Sequence, residues 1–192
     1  MELKGERLLA ADRATVWSLL NDPEILRLCV PGCESIAATA EHSYDIVMNA
    51  AVGPVRARFK GTLALADIEA PARYRLKFEA HSPQVGFVRG DAQVALQELA
   101  PTQTQLSYAA QSHIGGKLAQ IGGRLIDAAA AATADKFFDS LAAQLGSRTR
   151  AATVDAATEP ASAISPRAPA TASRECWRWL SSFVRHLFAR RS

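Results

Sequence analysis

The sequence is poor in the side chains on which most active sites are built. It has three cysteines and four histidines in 192 residues, and neither type is grouped. His42, His81, His113 and His186 stand far apart, in none of the short spacings through which histidines share a metal ion. Cys29 and Cys33, in CVPGCES, have no second pair and no spaced histidine beside them, and with Cys176 the count is odd. A reducing cytoplasm is expected to keep such residues as thiols, buried or partly buried, rather than as a disulfide or metal site. GGK at 115–117 lacks the upstream glycine and the following Ser or Thr of a phosphate-binding loop, and GGKLAQIGG is not a dinucleotide fingerprint. Haem-attachment, iron–sulfur and flavin signatures are missing too. No nucleophile with its base and no carboxylate pair stands out, so a non-catalytic protein is expected, in which any redox role belongs to a bound ligand.

Long hydrophobic runs are also lacking. The first residues, MELKGERLLAAD, carry charges at Glu2, Lys4, Glu6 and Arg7 and no apolar stretch of signal-peptide length. Nothing approaches the roughly 20 apolar residues that span a bilayer. The expected location is the cytoplasm, with peripheral association at the inner face of the cell membrane.

What is present is an uneven distribution of charge. Up to Gly146 there are 14 Lys and Arg against 16 Asp and Glu, a net −2; from Ser147 onward there are 8 against 3, a net +5. The excess of positive charge therefore sits at one end, where an anionic surface can meet it. That end closes with RECWRWLSSFVRHLFARRS. At 100° per residue, Cys176, Trp177, Leu180, Phe183, Val184, Leu187 and Phe188 share one arc, and Arg174, Arg178 and Arg185 cluster opposite. Three partners suit such a basic amphipathic helix: the protein's own domain, a membrane surface, or another protein. Nucleic acid is not expected, because it would leave the apolar face unexplained.

The rest divides by period. Residues 3–10 alternate as a first strand; Asp12 is placed to cap a short helix, RATVWSLL, and Asp22 with Pro23 to start another, PEILRLC, which Pro31 and Gly32 end. From Ser35 to Ile114 apolar positions recur every second residue. Tyr44, Ile46 and Met48, then Phe59, Leu63 and Leu65, then Tyr74, Leu76 and Phe78 alternate with polar and basic residues. Breaks at Gly53-Pro54, Pro71, Pro83 and Pro101 give about six hairpin-length strands. The apolar face of such a sheet needs a cover, and GGKLAQIGGRLIDAAAAATADKFFDSLAAQLG supplies one long helix, with Leu118, Ile121, Leu125, Ala128, Ala132, Phe137, Phe138, Leu141 and Leu145 on its inner side and Gly146 as its stop. The fold class is α+β: a curved antiparallel sheet of about seven strands wrapped around a C-terminal helix, the helix-grip arrangement. The alanine run at 128–132 and glycines 115, 116, 122 and 123 remove bulk from the cover. Two consequences are open: an apolar cavity, or closer helix–sheet packing. Asp91, Arg124 and Asp127 are the polar groups that would face a cavity, or else solvent. The expected organisation is a ligand-binding domain at 1–146, an Ala/Pro/Ser-rich linker at 147–173 spanning on the order of 30 Å if flexible, and the amphipathic helix at 174–192.

Four blocks, ADRATVWSLLNDPEILRLCVPGCES, VGPVRARFKGTLAL, GFVRGDAQVAL and GGKLAQIGGRLIDAAA, in this order, strongly resemble the carbon monoxide dehydrogenase G-subunit family of the START-like helix-grip superfamily, over residues 1 to about 145. The resemblance implies an accessory protein of a molybdenum-containing hydroxylase of the carbon monoxide dehydrogenase type, which joins enzyme and membrane and holds a respiratory quinone, such as menaquinone or another isoprenoid quinone, as cargo and not as a covalent cofactor; the alternatives are a membrane-anchoring or assembly adaptor without ligand, and a helix-grip enzyme acting on a hydrophobic substrate. On that basis the candidate ligand-binding residues are Trp17, Leu20, Leu28, Phe59, Leu63, Phe78, Phe87, Leu118, Ile121, Leu125 and Phe137. The candidate membrane-binding residues are Trp177, Arg178, Leu180, Phe183, Val184, Arg185, Leu187 and Phe188.

Overall fold

The computed structural model describes residues 1–156. Strand β1 (Glu2–Leu9) is followed by helices α1 (Arg13–Leu20) and α2 (Pro23–Cys29), then by strands β2 (Cys33–Ala40), β3 (Ser43–Val52), β4 (Val55–Glu69), β5 (Arg73–Ser82), β6 (Gly86–Ala100) and β7 (Gln103–Gly115). A 3-10 helix (Gly116–Ile121) leads into the long helix α3 (Gly123–Ala156). All strand pairs are antiparallel, and the seven-stranded sheet has the order β1-β7-β6-β5-β4-β3-β2. Strands β2 to β7 form a meander, and β1 closes against β7.

Local chemistry starts both short helices. The Asp12 carboxylate accepts from the Thr15 backbone N–H at 2.9 Å and from the Thr15 hydroxyl at 2.6 Å, and these bonds, the hydroxyl's first, hold its pKa below the usual value. Asp22 accepts from the backbone N–H groups of Glu24 and Ile25, with Pro23 at the first helical position, where its missing N–H costs nothing. The five strand-to-strand turns include four at the expected proline or glycine breaks; the fifth, at Glu41-His42, has neither residue and is made by His42 in the left-handed region at φ 58°. Close approach of neighbouring strands requires glycine at Gly61 and Gly90. A Cβ at Gly61 would meet that of Ala80 on β5 at 2.7 Å, and one at Gly90 would meet the Ser112 Cα on β7 at 2.9 Å.

The core lies at one end of the sheet's concave face. Val16, Leu19 and Leu20 of α1, Ile25 and Cys29 of α2, Leu96 of β6, Leu106 of β7, and Phe138, Leu141 and Leu145 of α3 pack together there. The buried Thr104 hydroxyl donates to the Ala11 carbonyl at 2.8 Å and ties β7 to the entry of α1. On the convex face Glu34 of β2 accepts from Asn49 of β3 at 2.7 Å and from the Arg58 Nε of β4 at 2.9 Å, and the Arg58 bonds, then that of Asn49, lower its pKa.

The covering helix differs from expectation in three ways. It is broken at Gly122, whose φ of 99° is outside the helical range, so residues 116–121 form a separate turn. It does not stop at Gly146 but runs to Ala156, so the expected linker is helical at its start. One exposed glycine costs a helix about 1 kcal/mol; Ser147, whose hydroxyl donates to the Gln144 carbonyl, and Arg148, paired with Asp22 at 3.5 Å, continue it. The inner face also has another phase. Leu125 is 50% exposed, Ala128 is exposed, and Ile126 turns inward. The remainder of the expected linker, 157–173, and the helix expected at 174–192 lie outside the described residues.

Stability is accordingly expected to depend on the C-terminal half of α3. Leu141→Ala, at a position with no exposed surface, should lower the free energy of urea unfolding by about 2 to 5 kcal/mol, and Leu125→Ala should stay within about 0.5 kcal/mol of the parent. Equal effects at the two sites would contradict this division of the helix.

Candidate functional site

Where α3 leaves the core, the side chains that cover the sheet shrink. Ile126, Ala129, Ala130, Thr133 and Ala134 form a roof, and the concave face beneath supplies Met48 and Ala50 from β3, Phe59 from β4, Phe78 and Ala80 from β5, Val88 from β6, and Ala110, Ser112 and Ile114 from β7. Val30 and Pro31 after α2, Leu118 of the 3-10 helix, and Met1 and Leu3 complete the wall. Between roof and floor is a cavity of about 630 Å³, within the range of roughly 300–1,000 Å³ found for small-molecule sites. The floor shows why. Phe78 stands opposite Gly90, which stands opposite Ser112, so one cross-strand row carries a ring, no side chain and a hydroxymethyl group in succession.

The polar groups of this wall are few. The Thr133 hydroxyl donates to the Ala129 carbonyl at 2.7 Å, within its own helix, and the Asn49 amide is engaged by Glu34. Lys136, at the rim, is exposed. The wall contains no aspartate, glutamate, histidine or cysteine. Among the described residues no group of three such side chains lies close enough to hold a metal ion. Cys29 and Cys33 are free thiols, and burial pushes both above the ordinary thiol range, away from the thiolate form that binds metals or attacks substrates. The cavity therefore offers dispersion contacts and shelter from water, which suit a hydrocarbon ligand.

A second, smaller cavity of about 180 Å³ lies deeper, and Val30 and Phe137 belong to the walls of both. Leu20, Asn21, Leu26, Ile36, Leu63, Leu65, Leu76, Val94, Leu106 and Phe138 line it, with Tyr44, Tyr74 and Tyr108.

The residues named from sequence fall into distinct places. Phe59, Phe78, Leu118 and Phe137 line the larger cavity, and Leu20, Leu63 and again Phe137 the smaller. Trp17 packs against the core, with its ring edge-on to Tyr74 at 5.5 Å. Ile121 is half-buried at the end of the 3-10 helix and belongs to neither wall. Three placements need correction. Leu28 is 56% exposed, because α2 buries Ile25 and Cys29 on its other side. Leu125 lies outside, near Gly53 in the β3–β4 turn. Phe87 is on the convex face: the two-residue period sends its neighbour Val88 inward, and the Phe87 ring lies against His113 and the Arg89 guanidinium. Asp91, Arg124 and Asp127 line neither cavity. Ile126, Val88 and the small floor residues Ala50, Ala80 and Ala110 were not singled out; counting back from Leu145, Leu141 and Phe138 in helical steps reaches Ala134, Ala130 and Ile126. The membrane-binding candidates from Trp177 to Phe188 lie outside the described residues, and among the described ones no helix is long and apolar enough to cross a membrane.

Residues 5–146 match the family described as the carbon monoxide dehydrogenase G-subunit (CoxG). The chain belongs to this family. Its fold is shared with solved structures. A conserved protein from Geobacillus kaustophilus is 27% identical, with a TM-score of 0.73 over 77% of this chain and 96% of that one. A START superfamily protein from Mycobacterium smegmatis is 11% identical, with a TM-score of 0.60 over 76% and 97% of the two chains. The Zhui aromatase/cyclase from Streptomyces sp. R1128 is 16% identical, with a TM-score of 0.59 over 79% and 97%. The last two likenesses are of fold alone. No curated protein matches the chain significantly. Membership of the CoxG family implies association with carbon monoxide dehydrogenase, in an accessory and not the catalytic role.

If the alanine roof keeps the cavity open, filling it should exclude ligands without unfolding the domain. Ala129→Trp and Ala130→Trp are expected to abolish the fluorescence enhancement of an apolar dye such as 1-anilinonaphthalene-8-sulfonate at saturating protein, while far-ultraviolet circular dichroism and the unfolding midpoint stay near those of the parent. Undiminished dye binding in both variants would place the apolar site elsewhere.

Proposed function

We propose that this protein is a non-catalytic accessory protein of a molybdenum hydroxylase of the carbon monoxide dehydrogenase type, which carries an isoprenoid quinone such as menaquinone in its apolar cavity and links the enzyme to the inner face of the cell membrane. One observation carries the reading: a cavity of about 630 Å³ roofed by alanines, in a member of the CoxG family. An isoprenoid chain is almost insoluble in water, and a soluble enzyme that delivers electrons to it needs a means of bringing it out of the bilayer. Burial of the chain is favourable by about 25 cal/mol per Å² of apolar surface. The cavity wall supplies that surface with its charges confined to the exposed Lys136 and the Met1 ammonium, which donates to the Ser112 carbonyl at 2.9 Å, and with no Asp, Glu or His, which supports a binding role.

The membrane link rests on residues 174–192. Trp177, Leu180, Phe183, Val184, Leu187 and Phe188 form the apolar face, and Arg174, Arg178, Arg185, Arg190 and Arg191 supply charge for anionic headgroups. Full burial of one large apolar side chain is worth roughly 1.5 to 3 kcal/mol, and each arginine near an acidic surface adds about 1 kcal/mol. Such attachment is reversible and weakens as salt screens the charges over a Debye length of about 10 Å at 0.1 M.

The test joins both roles. Anionic vesicles containing menaquinone are mixed with carbon monoxide dehydrogenase and the full chain, and quinone reduction is followed with carbon monoxide as donor. The rate should rise several-fold over enzyme and vesicles alone. It should fall back when the chain ends at Ala156, or when Trp177 and Leu180 are changed to Glu. Equal rates with and without the protein would overturn the proposal.

A further inference from the structure

The smaller cavity differs from the larger one in chemistry as well as in size. It encloses 180 Å³ against 630 Å³, and three phenols reach it from three strands that are not neighbours: Tyr44 of β3, Tyr74 of β5 and Tyr108 of β7. Tyr74 is 8% exposed, and its hydroxyl has no hydrogen-bond partner among the described residues. Burial pushes the Tyr74 phenol well above its ordinary pKa, so it remains a neutral O–H donor at any physiological pH. The Tyr108 ring packs on Phe138 at 5.1 Å between centroids and borders the chamber, but its hydroxyl lies over Gly5 of β1, where an added Cβ would meet it at 2.7 Å, and β1 contributes nothing to the chamber wall. Asn21 gives its amide hydrogen to the Trp17 carbonyl at 2.8 Å, and its own side-chain oxygen has no partner among the described residues.

Hydroxyls that are taken from water without gaining a partner are destabilising, and folded proteins keep few of them. Here the buried Tyr74 brings one to a small chamber whose wall is otherwise made largely of leucine, isoleucine, valine and phenylalanine. A hydrocarbon chain cannot use it, whereas a ring carbonyl accepts from a phenol. A ring in its dihydroxy form can donate instead, to the Asn21 oxygen or to the phenolic oxygen.

We propose that the inner chamber is the site for the ligand's polar ring, a carbonyl-bearing aromatic head held by Tyr74, while the attached hydrocarbon chain lies in the outer cavity past Val30 and Phe137, which both walls share. This assignment rests on the quinone-carrier reading and adds an orientation to it: head inward, chain toward the mouth. It also gives Trp17 a use as a reporter, because its ring is in edge contact with that of Tyr74, and quinones quench tryptophan emission at short range.

The experiment uses the full chain with Trp177→Phe and Trp179→Phe, which leaves Trp17 as the single tryptophan of the original three. Two probes are compared: menaquinone-4, and squalene, an isoprenoid hydrocarbon with no polar ring, whose binding is read by native mass spectrometry. Menaquinone-4 should quench Trp17, and Tyr74→Phe, which keeps the ring and its packing, should weaken its binding about tenfold and leave squalene unchanged, whereas Tyr108→Phe should change neither. Ala129→Phe, in the roof of the outer cavity, should weaken both probes. Tight binding of menaquinone-4 that neither quenches Trp17 nor responds to Tyr74→Phe would put the ring in the outer cavity, overturning the orientation while leaving the carrier reading intact. No binding of menaquinone-4 to the parent would overturn both.

Discussion

Phe138, Leu141 and Leu145 of α3, packed against Val16 and Leu19 of α1 and Leu106 of β7, hold the concave face of the sheet to its covering helix. The remaining features depend on this contact. An antiparallel sheet with one apolar face has to bury it, and here the burial is concentrated at one end. Because that end is closely packed, the other half of the helix is free to carry alanine where a fully packed cover would carry leucine. Each side chain omitted there forfeits dispersion contacts and leaves volume unfilled, a loss of about 24 cal/mol per Å³ of residual cavity in well-studied cores. A ligand that fills the space recovers part of that loss, so the energetic weakness of the roof and the capacity to bind are the same property.

The two cavities divide the requirements of an amphiphilic ligand. The outer one is wide, apolar and bordered by the exposed Lys136; the inner one is narrow and has phenols at its wall. Phe137 stands between them and faces both. The constraint that fixes the core therefore also fixes this partition, since Phe137 adjoins Phe138 in the chain and the two rings are in edge contact at 5.2 Å.

Much of the fold was legible in the sequence because its signals are local. Asp12 and Asp22 cap helices through bonds to residues two or three positions away, and strand alternation depends only on the pleat. The turn at His42 was not legible, since the left-handed conformation there falls on a residue that the sequence does not mark as a turn former. The inner face of α3 was misplaced because a run of alanines has no phase. The apolar steps from Leu118 through Ile121 to Leu125 cross the break at Gly122 and belong to two different segments, whereas the steps back from Leu145 stay within one. Phe87 was misassigned by residue type, since an aromatic on a strand reads as inward until its register with Val88 is known. The convergence of Tyr44, Tyr74 and Tyr108 is a property of the curved sheet that no local pattern carries.

The central claim is that the cavity exists to hold an isoprenoid quinone. The most direct test is to purify the full chain from cells that make such quinones, extract it with organic solvent, and analyse the extract by liquid chromatography and mass spectrometry. The account predicts a copurifying isoprenoid quinone in near-stoichiometric amount, depleted in the Ala129→Trp variant purified in the same way. A parent protein that yields no quinone, or a yield equal to that of the filled-cavity variant, would contradict it.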